Sequence, residues 1–208
     1  TGRAHVTGLT IAEQLAFLRK GAAEIISEAE LGERLRLGRP LRVKLGMDPS
    51  APDIHLGHTV VLRKLREFQD LDHTVVFIIG DYTGRIGDPT GRSKTRPQLD
   101  AATVEKNAQT YFEQVGKILD VKKCEIHFNS EWYRKWSALD LIELQAKFSV
   151  KRVLERDDFA KRMKDKDAEI LSHELDYPML QAYDSIAIHA SVEIGGTDQK
   201  FNMLAGRD

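Results

Sequence analysis

Residues 41–80 carry the pattern that most limits what this chain can fold into. Leu41, Val43 and Leu45 alternate with Arg42, Lys44 and Gly46, which is the period of a strand. The run Thr74 to Ile79 is continuous and rich in β-branched residues, as in a strand buried on both faces. Between them, in a segment that begins near His58, Val61, Leu62, Leu65 and Phe68 share one helical face. Strand, turn, helix, strand is a βαβ unit, and such crossovers join parallel strands. The expected class is α/β, with ligands outside the carboxyl ends of the strands.

The flanking segments fit that frame. Ile11, Leu15, Leu18, Ala22, Ile25 and Ile26 recur at helical spacing behind Thr10, with Glu13 completing a capping box, and Gly32 with Gly38-Arg39-Pro40 closes a second, shorter helix. Turn formers crowd the stretch from Asp81 to Lys94, and no regular structure is expected to cross it. Thr103 to Leu119 reads as helix and Glu125 to Phe128 as strand. Residues 137–183 read as mostly helical, the charges from Arg152 to Lys166 forming a solvated face. Ser191 to Ile194 is the last strand candidate, followed by Gly195-Gly196-Thr197-Asp198 and a helix from about Gln199 that is unfinished at Asp208. A single domain over 1–208 is expected, with N-terminal helices in 1–40 and a helical insertion at about 130–183; the unfinished helix suggests a piece of a longer polypeptide.

Composition excludes several classes. At 208 residues, 41% hydrophobic and 30% charged, the chain is long and apolar enough to bury one core, so disorder is excluded. No run of about 18 apolar residues occurs and Thr1 to Leu9 lacks a signal-peptide pattern, so neither a membrane span nor export is expected and the cytoplasm is the default. The one cysteine, Cys124, cannot form an internal disulfide and reads as a small buried hydrophobe. A net charge of −1 argues against a surface that coats nucleic acid and leaves local RNA contacts open.

The densest chemistry lies in Asp48-Pro49-Ser50-Ala51-Pro52-Asp53-Ile54-His55-Leu56-Gly57-His58, between the first strand and its helix. A helix N-terminus offers unpaired N–H groups and about half a positive charge, and two imidazoles three residues apart add donors for the same anion. Gly57 between them would let a nucleotide ring or ribose lie against the backbone. The bland alternative is that both histidines merely cap the helix. No third ligand sits at zinc-site spacing, so no metal site is expected. Farther on, Tyr177, Gln181 and Asp184 stand at i, i+4 and i+7 and project from one helical face.

The sequence H-x-G-H after a first strand resembles the signature of class I aminoacyl-tRNA synthetases. Gly87-Asp88-Pro89-Thr90-Gly91, Tyr177-x-x-x-Gln181-x-x-Asp184 and Gly195-Gly196-Thr197-Asp198-Gln199 follow in the order and spacing of the tyrosyl-tRNA synthetases, and the resemblance covers residues 11–208. It implies a Rossmann-like doubly wound parallel sheet and a reaction that joins L-tyrosine to ATP, giving tyrosyl-adenylate for transfer to tRNA(Tyr). It assigns ATP to Asp48, Ser50, His55, Gly57, His58, Gly196 and Asp198, and implies Mg2+ as a cofactor with no protein metal ligands. Tyrosine falls to Lys44, Gly46, Asp48, Thr83, Asp88, Tyr177, Gln181, Asp184 and Gln199. Of these, Tyr177, Gln181 and Asp88 face the ammonium, Asp184 accepts the phenol hydroxyl, and Asp198 and Gln199 lie near the ribose and the tyrosyl group. His55, His58, Arg92 and Arg96 are the catalytic candidates, the arginines with Lys94 on a loop that closes over pyrophosphate in relatives. A homodimer formed through the insertion is also implied.

Two departures stand out. Some relatives carry a phenol-binding tyrosine at the position of Lys44, which donates and cannot accept, so Asp184 is expected to do more, with Lys44 as its counter-charge. The lysine-rich loop and anticodon-reading region of the family do not occur before Asp208, so these residues alone are expected to bind tyrosine, activate it feebly and hardly aminoacylate tRNA. The competing readings are an adenylating relative for another substrate, such as the tryptophan enzyme, and a non-catalytic module that binds RNA or protein.

Overall fold

The computed structural model describes residues 8–49, 53–88 and 100–207. Two short helices come first, α1 (Ile11–Arg19) and α2 (Glu28–Arg36), opened by the capping boxes Thr10/Glu13 and Ser27/Glu30. Each cap satisfies backbone donors that the first turn leaves orphaned and contributes about 1 kcal/mol. Then come β1 (Arg42–Met47), α3 (Leu56–Asp70) and β2 (Thr74–Ile79). A short helix, α4 (Thr83–Ile86), follows, and then α5 (Ala101–Val115) and β3 (Cys124–Phe128). The helices α6 (Ser130–Tyr133), α7 (Ala138–Gln145), α8 (Val150–Leu154) and α9 (Asp157–Arg162) lead into α10 (Ser172–Ala187). The described chain closes with β4 (Val192–Glu193) and α11 (Lys200–Ala205).

The sheet has strand order β3-β2-β1-β4 and every pairing is parallel. Both faces are covered, as parallel sheets require. Val43, Leu45, Val75, Phe77 and Ile79 pack under Leu18, Leu35, Leu62, Leu65, Phe68 and Val115 of α1, α2, α3 and α5. Val76 and Ile78 pack on the other face against Ile188 and Trp132. Each such large apolar side chain contributes about 1.5–3 kcal/mol when withdrawn from water. A second core, with Tyr133, Leu144, Val153, Phe159, Met179 and Leu180, joins the inserted helices to α10. The strand order reverses direction between β1 and β4, so a crevice opens at their carboxyl ends, where doubly wound sheets bind ligands.

Two expectations need correction. The loop after Asp81 does carry regular structure, the single turn of α4, with Gly84 N bonded to Gly80 O at 2.8 Å and Gly87 N to Thr83 O at 3.0 Å. The charged run 152–166 is also more than a solvated face. Arg156 and Arg162 are 4% and 3% exposed, drawn inward by carboxylate partners that a one-dimensional charge pattern does not reveal. Cys124 is half-buried against the sheet core, and burial first, then the charge of Asp120, pushes its thiol up to about 11, which keeps it an unreactive thiol.

Candidate active site

The crevice is a cleft of about 420 Å³, within the size range of small-molecule sites. Its walls come from the ends of β1 and β4, the start of α3, the Gly80–Thr83 turn and one face of α10. Asp48 follows β1, and α5 holds Pro49 and Ile54 close behind it. Asn107 donates to Pro49 O at 2.9 Å, and Ile54 N donates to Gln114 Oε1 at 2.9 Å.

The α3 end of the cleft is built by the two histidines. His55 is the N-cap; Gly57 N donates to its Nδ1 at 3.2 Å, while His55 N donates to His58 Nδ1 at 3.1 Å. The rings stack with centroids 3.9 Å apart. A Cβ on Gly57 would lie 3.0 Å from the His55 ring, so glycine makes room for the stack. With both Nδ1 atoms accepting, the neutral tautomer of each ring carries its proton on Nε2. Burial, then the charge of its neighbour His55, lowers the pKa of His58 and favours that neutral form. The caps and the anion site are therefore compatible: Nδ1 serves the backbone and leaves Nε2–H as a donor.

Another part of the lining is acidic. Tyr177 OH donates to Asp48 Oδ2 at 2.8 Å and Thr83 Oγ1 donates to Asp48 Oδ1 at 2.7 Å. Gly80 must be glycine, because a Cβ there would stand 1.9 Å from Asp48 Oδ1 and 2.5 Å from Thr83 Oγ1. Burial pushes the Asp48 carboxyl up to about 7, and Asp88 and Asp184 push it the same way against the two hydrogen bonds. Gln199 Nε2 donates to Asp88 Oδ2 at 3.0 Å, and Asn202 Nδ2 donates to Gln181 Oε1 at 2.8 Å and Gln199 Oε1 at 3.0 Å. These bonds fix both glutamines beside the acids.

Asp184, 4% exposed, lies on α10 where the cleft meets the insertion. Trp132 Nε1 and Tyr133 OH donate to its Oδ1 at 3.0 and 2.8 Å, and Asn129 Nδ2 donates to Oδ2 at 3.3 Å. Burial raises its carboxyl to about 6, with the Lys44 charge the largest opposing influence.

Gly46, Asp48, His55, Gly57, His58, Thr83, Asp88, Tyr177, Gln181, Asp184, Gly196, Asp198 and Gln199 thus border one cleft. Lys44 does not, and its expected place as a tyrosine contact is corrected, while its charge does act on Asp184 as the expected counter-charge. It is 0% exposed, and its Nζ lies 2.8 Å from Glu193 Oε1, 3.0 Å from Ser185 Oγ and 3.1 Å from Gln181 O. The sheet alternation puts residue 44 on the α10 side, beneath the crevice, and only its field reaches Asp184. Ser50, Arg92, Lys94 and Arg96 lie outside the described residues.

Residues 36–208 match the profile of the family described as tRNA synthetases class I (W and Y). The chain belongs to that family. Among curated relatives it is 57% identical over 195 residues to a tyrosine–tRNA ligase of Oleidesulfovibrio alaskensis, with 94% of this chain and 49% of the relative covered. It is 58% identical over 200 residues to that of Aquifex aeolicus, with 96% and 51% covered. The chain spans about half the length of these relatives. Its fold matches that of a C-terminally truncated Aspergillus nidulans mitochondrial tyrosyl-tRNA synthetase with a TM-score of 0.80 at 24% identity, covering 93% of this chain and 59% of the other. The Archaeoglobus fulgidus tyrosyl-tRNA synthetase complexed with L-tyrosine gives 0.80 at 20% identity, covering 96% and 59%. The fold class is confirmed as Rossmann-like.

Within this synthetase fold, the sequence reading missed Asn129, Trp132 and Tyr133, which surround Asp184 from 51–55 residues away, and Asn107 of α5. The available signal was position: Asn129 directly follows the carboxyl end of a strand, at the edge where such sheets place their ligand-facing groups.

Proposed function

We propose that this chain is the catalytic portion of a tyrosyl-tRNA synthetase, a single Rossmann-like domain with an insertion, which activates L-tyrosine with ATP. What carries the reading is that a buried carboxylate, Asp184, and the paired imidazoles of His55 and His58 border the same cleft. The tyrosine ring enters toward Asp184, which accepts a hydrogen bond from the phenol hydroxyl. Its ammonium lies among Asp48, Asp88, Tyr177 and Gln181. Phenylalanine leaves the buried Asp184 acceptor unpaired and is rejected, a rule for which tyrosyl-tRNA synthetases are the standing example.

The reaction needs no general base, because an α-carboxyl with a pKa of about 3.5 is ionised at neutral pH. The tyrosine carboxylate oxygen forms a bond to the α-phosphorus in line as the bond to the β-phosphate oxygen breaks, and pyrophosphate leaves. Positioning and charge stabilisation supply the rate. The Nε2–H donors of His55 and His58 and the N-terminus of α3 face the charge that grows on the phosphates, while Gly196 and Asp198 meet the ribose. Arg92, Arg96 and Lys94 take the pyrophosphate, and Ser50 the nucleotide, on the family resemblance. Among the described residues no cluster of three His, Cys, Asp or Glu side chains could cage a metal. Mg2+ would accompany the triphosphate and offset part of its charge.

Transfer to tRNA(Tyr), a cytoplasmic location and a homodimer belong to the same proposal. Among the described residues no helix is long and apolar enough to cross a membrane. The dimer is supported by Leu139, Ile142, Val150, Met163 and Leu171 of the insertion, all 43–64% exposed.

The test is tyrosine-dependent exchange of labelled pyrophosphate into ATP, with tryptophan and phenylalanine as competitors. Exchange with tyrosine alone, or at least a tyrosine-induced rise in melting temperature, is expected; neither effect, or a preference for tryptophan, sinks the reading. His58→Ala is expected to slow exchange by about 10²–10³-fold while the tyrosine dissociation constant changes less than about twofold, because its donor meets charge only in the transition state. Calorimetry showing an equal loss of tyrosine affinity would reassign His58 to the amino-acid pocket.

A further inference from the structure

The hydroxyl of Tyr133 plays no part in the chemistry above, yet it is aimed at the residue that reads the substrate ring. Tyr133 ends α6, is 2% exposed, and holds its oxygen 2.8 Å from Asp184 Oδ1 and 2.5 Å from Leu180 O. A phenol has one proton to donate, and the charged carboxylate is a stronger acceptor for it than the neutral Leu180 carbonyl. The ring itself is seated independently of that proton, with Tyr82 and Trp136 at centroid distances of 5.1 and 4.9 Å and Tyr183 at 6.2 Å. The hydroxyl and the ring therefore do separate jobs, and one can be removed without the other.

Both oxygens of Asp184 are then accounted for. Oδ1 receives Trp132 Nε1 and Tyr133 OH, both from the insertion. Oδ2 receives only the longer 3.3 Å bond from Asn129, whose Nδ2 also donates to Thr83 Oγ1 at 2.9 Å and whose Oδ1 accepts from Tyr82 N at 2.9 Å. Oδ2 is the oxygen with acceptor capacity to spare.

We propose that Tyr133 is a positioning residue for ring recognition: by donating to Oδ1, which Trp132 also holds in place, it keeps Asp184 an ionised acceptor with Oδ2 left for the ligand, so that the pocket selects amino acids whose ring ends in a hydrogen-bond donor. The inference rests on the tyrosine-activation reading and deepens it.

A bond that holds Asp184 in its acceptor form should show itself in pH dependence. Against burial, which raises the Asp184 carboxyl to about 6, the Tyr133 hydrogen bond acts to lower it, so removing the bond raises that value further. The other charged and titratable groups around Asp184 are Lys44 of β1, paired with Glu193 of β4, Asp48 after β1, and Tyr177 on α10. Phenylalanine shares the ammonium and carboxylate of tyrosine, so its binding carries the titration of Asp48 and serves to subtract it.

The test is calorimetric binding to this chain of L-tyrosine, and of L-phenylalanine at the high concentrations its much weaker binding requires, at pH 6 and pH 8.5, in the parent, in Tyr133→Phe and in Tyr133→Met. Methionine fills irregular apolar space without a donor. Both variants are expected to weaken tyrosine by at least about fivefold at pH 6 and by under about twofold at pH 8.5, with phenylalanine unchanged at either pH. Equal weakening at both pH values, or equal weakening of both amino acids, would make Tyr133 a packing residue and overturn the proposal. Failure of both variants to fold would overturn it in the same way. A parent protein that binds no tyrosine at any pH would instead sink the functional reading on which the proposal stands.

Discussion

Asp48→Asn is expected to melt higher than the parent protein at pH 8 while losing most of its affinity for tyrosine. Burial pushes the Asp48 carboxyl from its ordinary value near 3.8 up to about 7. The folded state thus prefers the protonated form. The associated stability is fully present below about pH 4 and is lost as the pH rises through about 7. Three pKa units correspond to about 4 kcal/mol. Asp48 is half-buried on the cleft wall, where water relieves part of this cost, and about 1–3 kcal/mol is the expected gain for asparagine at pH 8. Asparagine keeps an oxygen for Thr83 and carries no charge for a substrate ammonium. Melting curves at pH 4 and pH 8 check the sign: the gain should vanish at the lower pH. A variant no more stable than the parent at pH 8, or one that still binds tyrosine as tightly, would show that the carboxylate is neither strained nor used.

Arg162→Ala is expected to lose about 3–5 kcal/mol of unfolding free energy, the largest single-residue effect outside the cleft. The guanidinium meets Glu174 fork to fork, Nη1 to Oε1 at 2.8 Å and Nη2 to Oε2 at 2.9 Å, and both side chains are at most 3% exposed. Glu174 Oε2 also accepts from Leu171 N at 2.9 Å, so the carboxylate anchors the start of α10. Removing the arginine leaves a charge buried without its partner, whereas replacing both, as in Arg162→Met with Glu174→Leu, should recover much of the loss. Urea unfolding of the single and double variants checks this. A double variant as unstable as the single one would place the stabilisation in packing rather than in the pair. With domain stabilities of about 5–15 kcal/mol, the single change removes a large share of what holds α10 in place.

Most of the scaffold could be read along the chain because its signals are local. The alternation at 41–46, the β-branched run 74–79 and the Thr10/Glu13 capping box concern residues within one turn or one strand of each other, and each became the expected element, although the helix behind Thr10 ends at Arg19, short of the Ala22, Ile25 and Ile26 expected on it. The short α4 was not legible, since four residues between glycines make too little periodicity to compete with turn composition. The residues around Asp184 were invisible for a different reason. Asn129, Trp132 and Tyr133 meet it only after the insertion folds back over α10, and no spacing rule links positions more than 50 apart. Lys44 shows the limit of reading a single site by analogy: its neighbours Ser185 and Glu193 lie on elements about 140–150 residues away, and they absorb the ammonium that a pocket-facing reading had assigned to the cleft.

The stacked histidines have a consequence for how the two parts of the cleft respond to acid. Each ring spends its Nδ1 on a backbone N–H, and His58 resists taking a second proton. In the acidic part of the lining Asp48 and Asp184 change state between about pH 6 and 7. On the reading proposed here, mild acidification neutralises the carboxylates that capture the amino acid while His58 keeps its neutral form, so proton sensitivity enters through the choice of substrate.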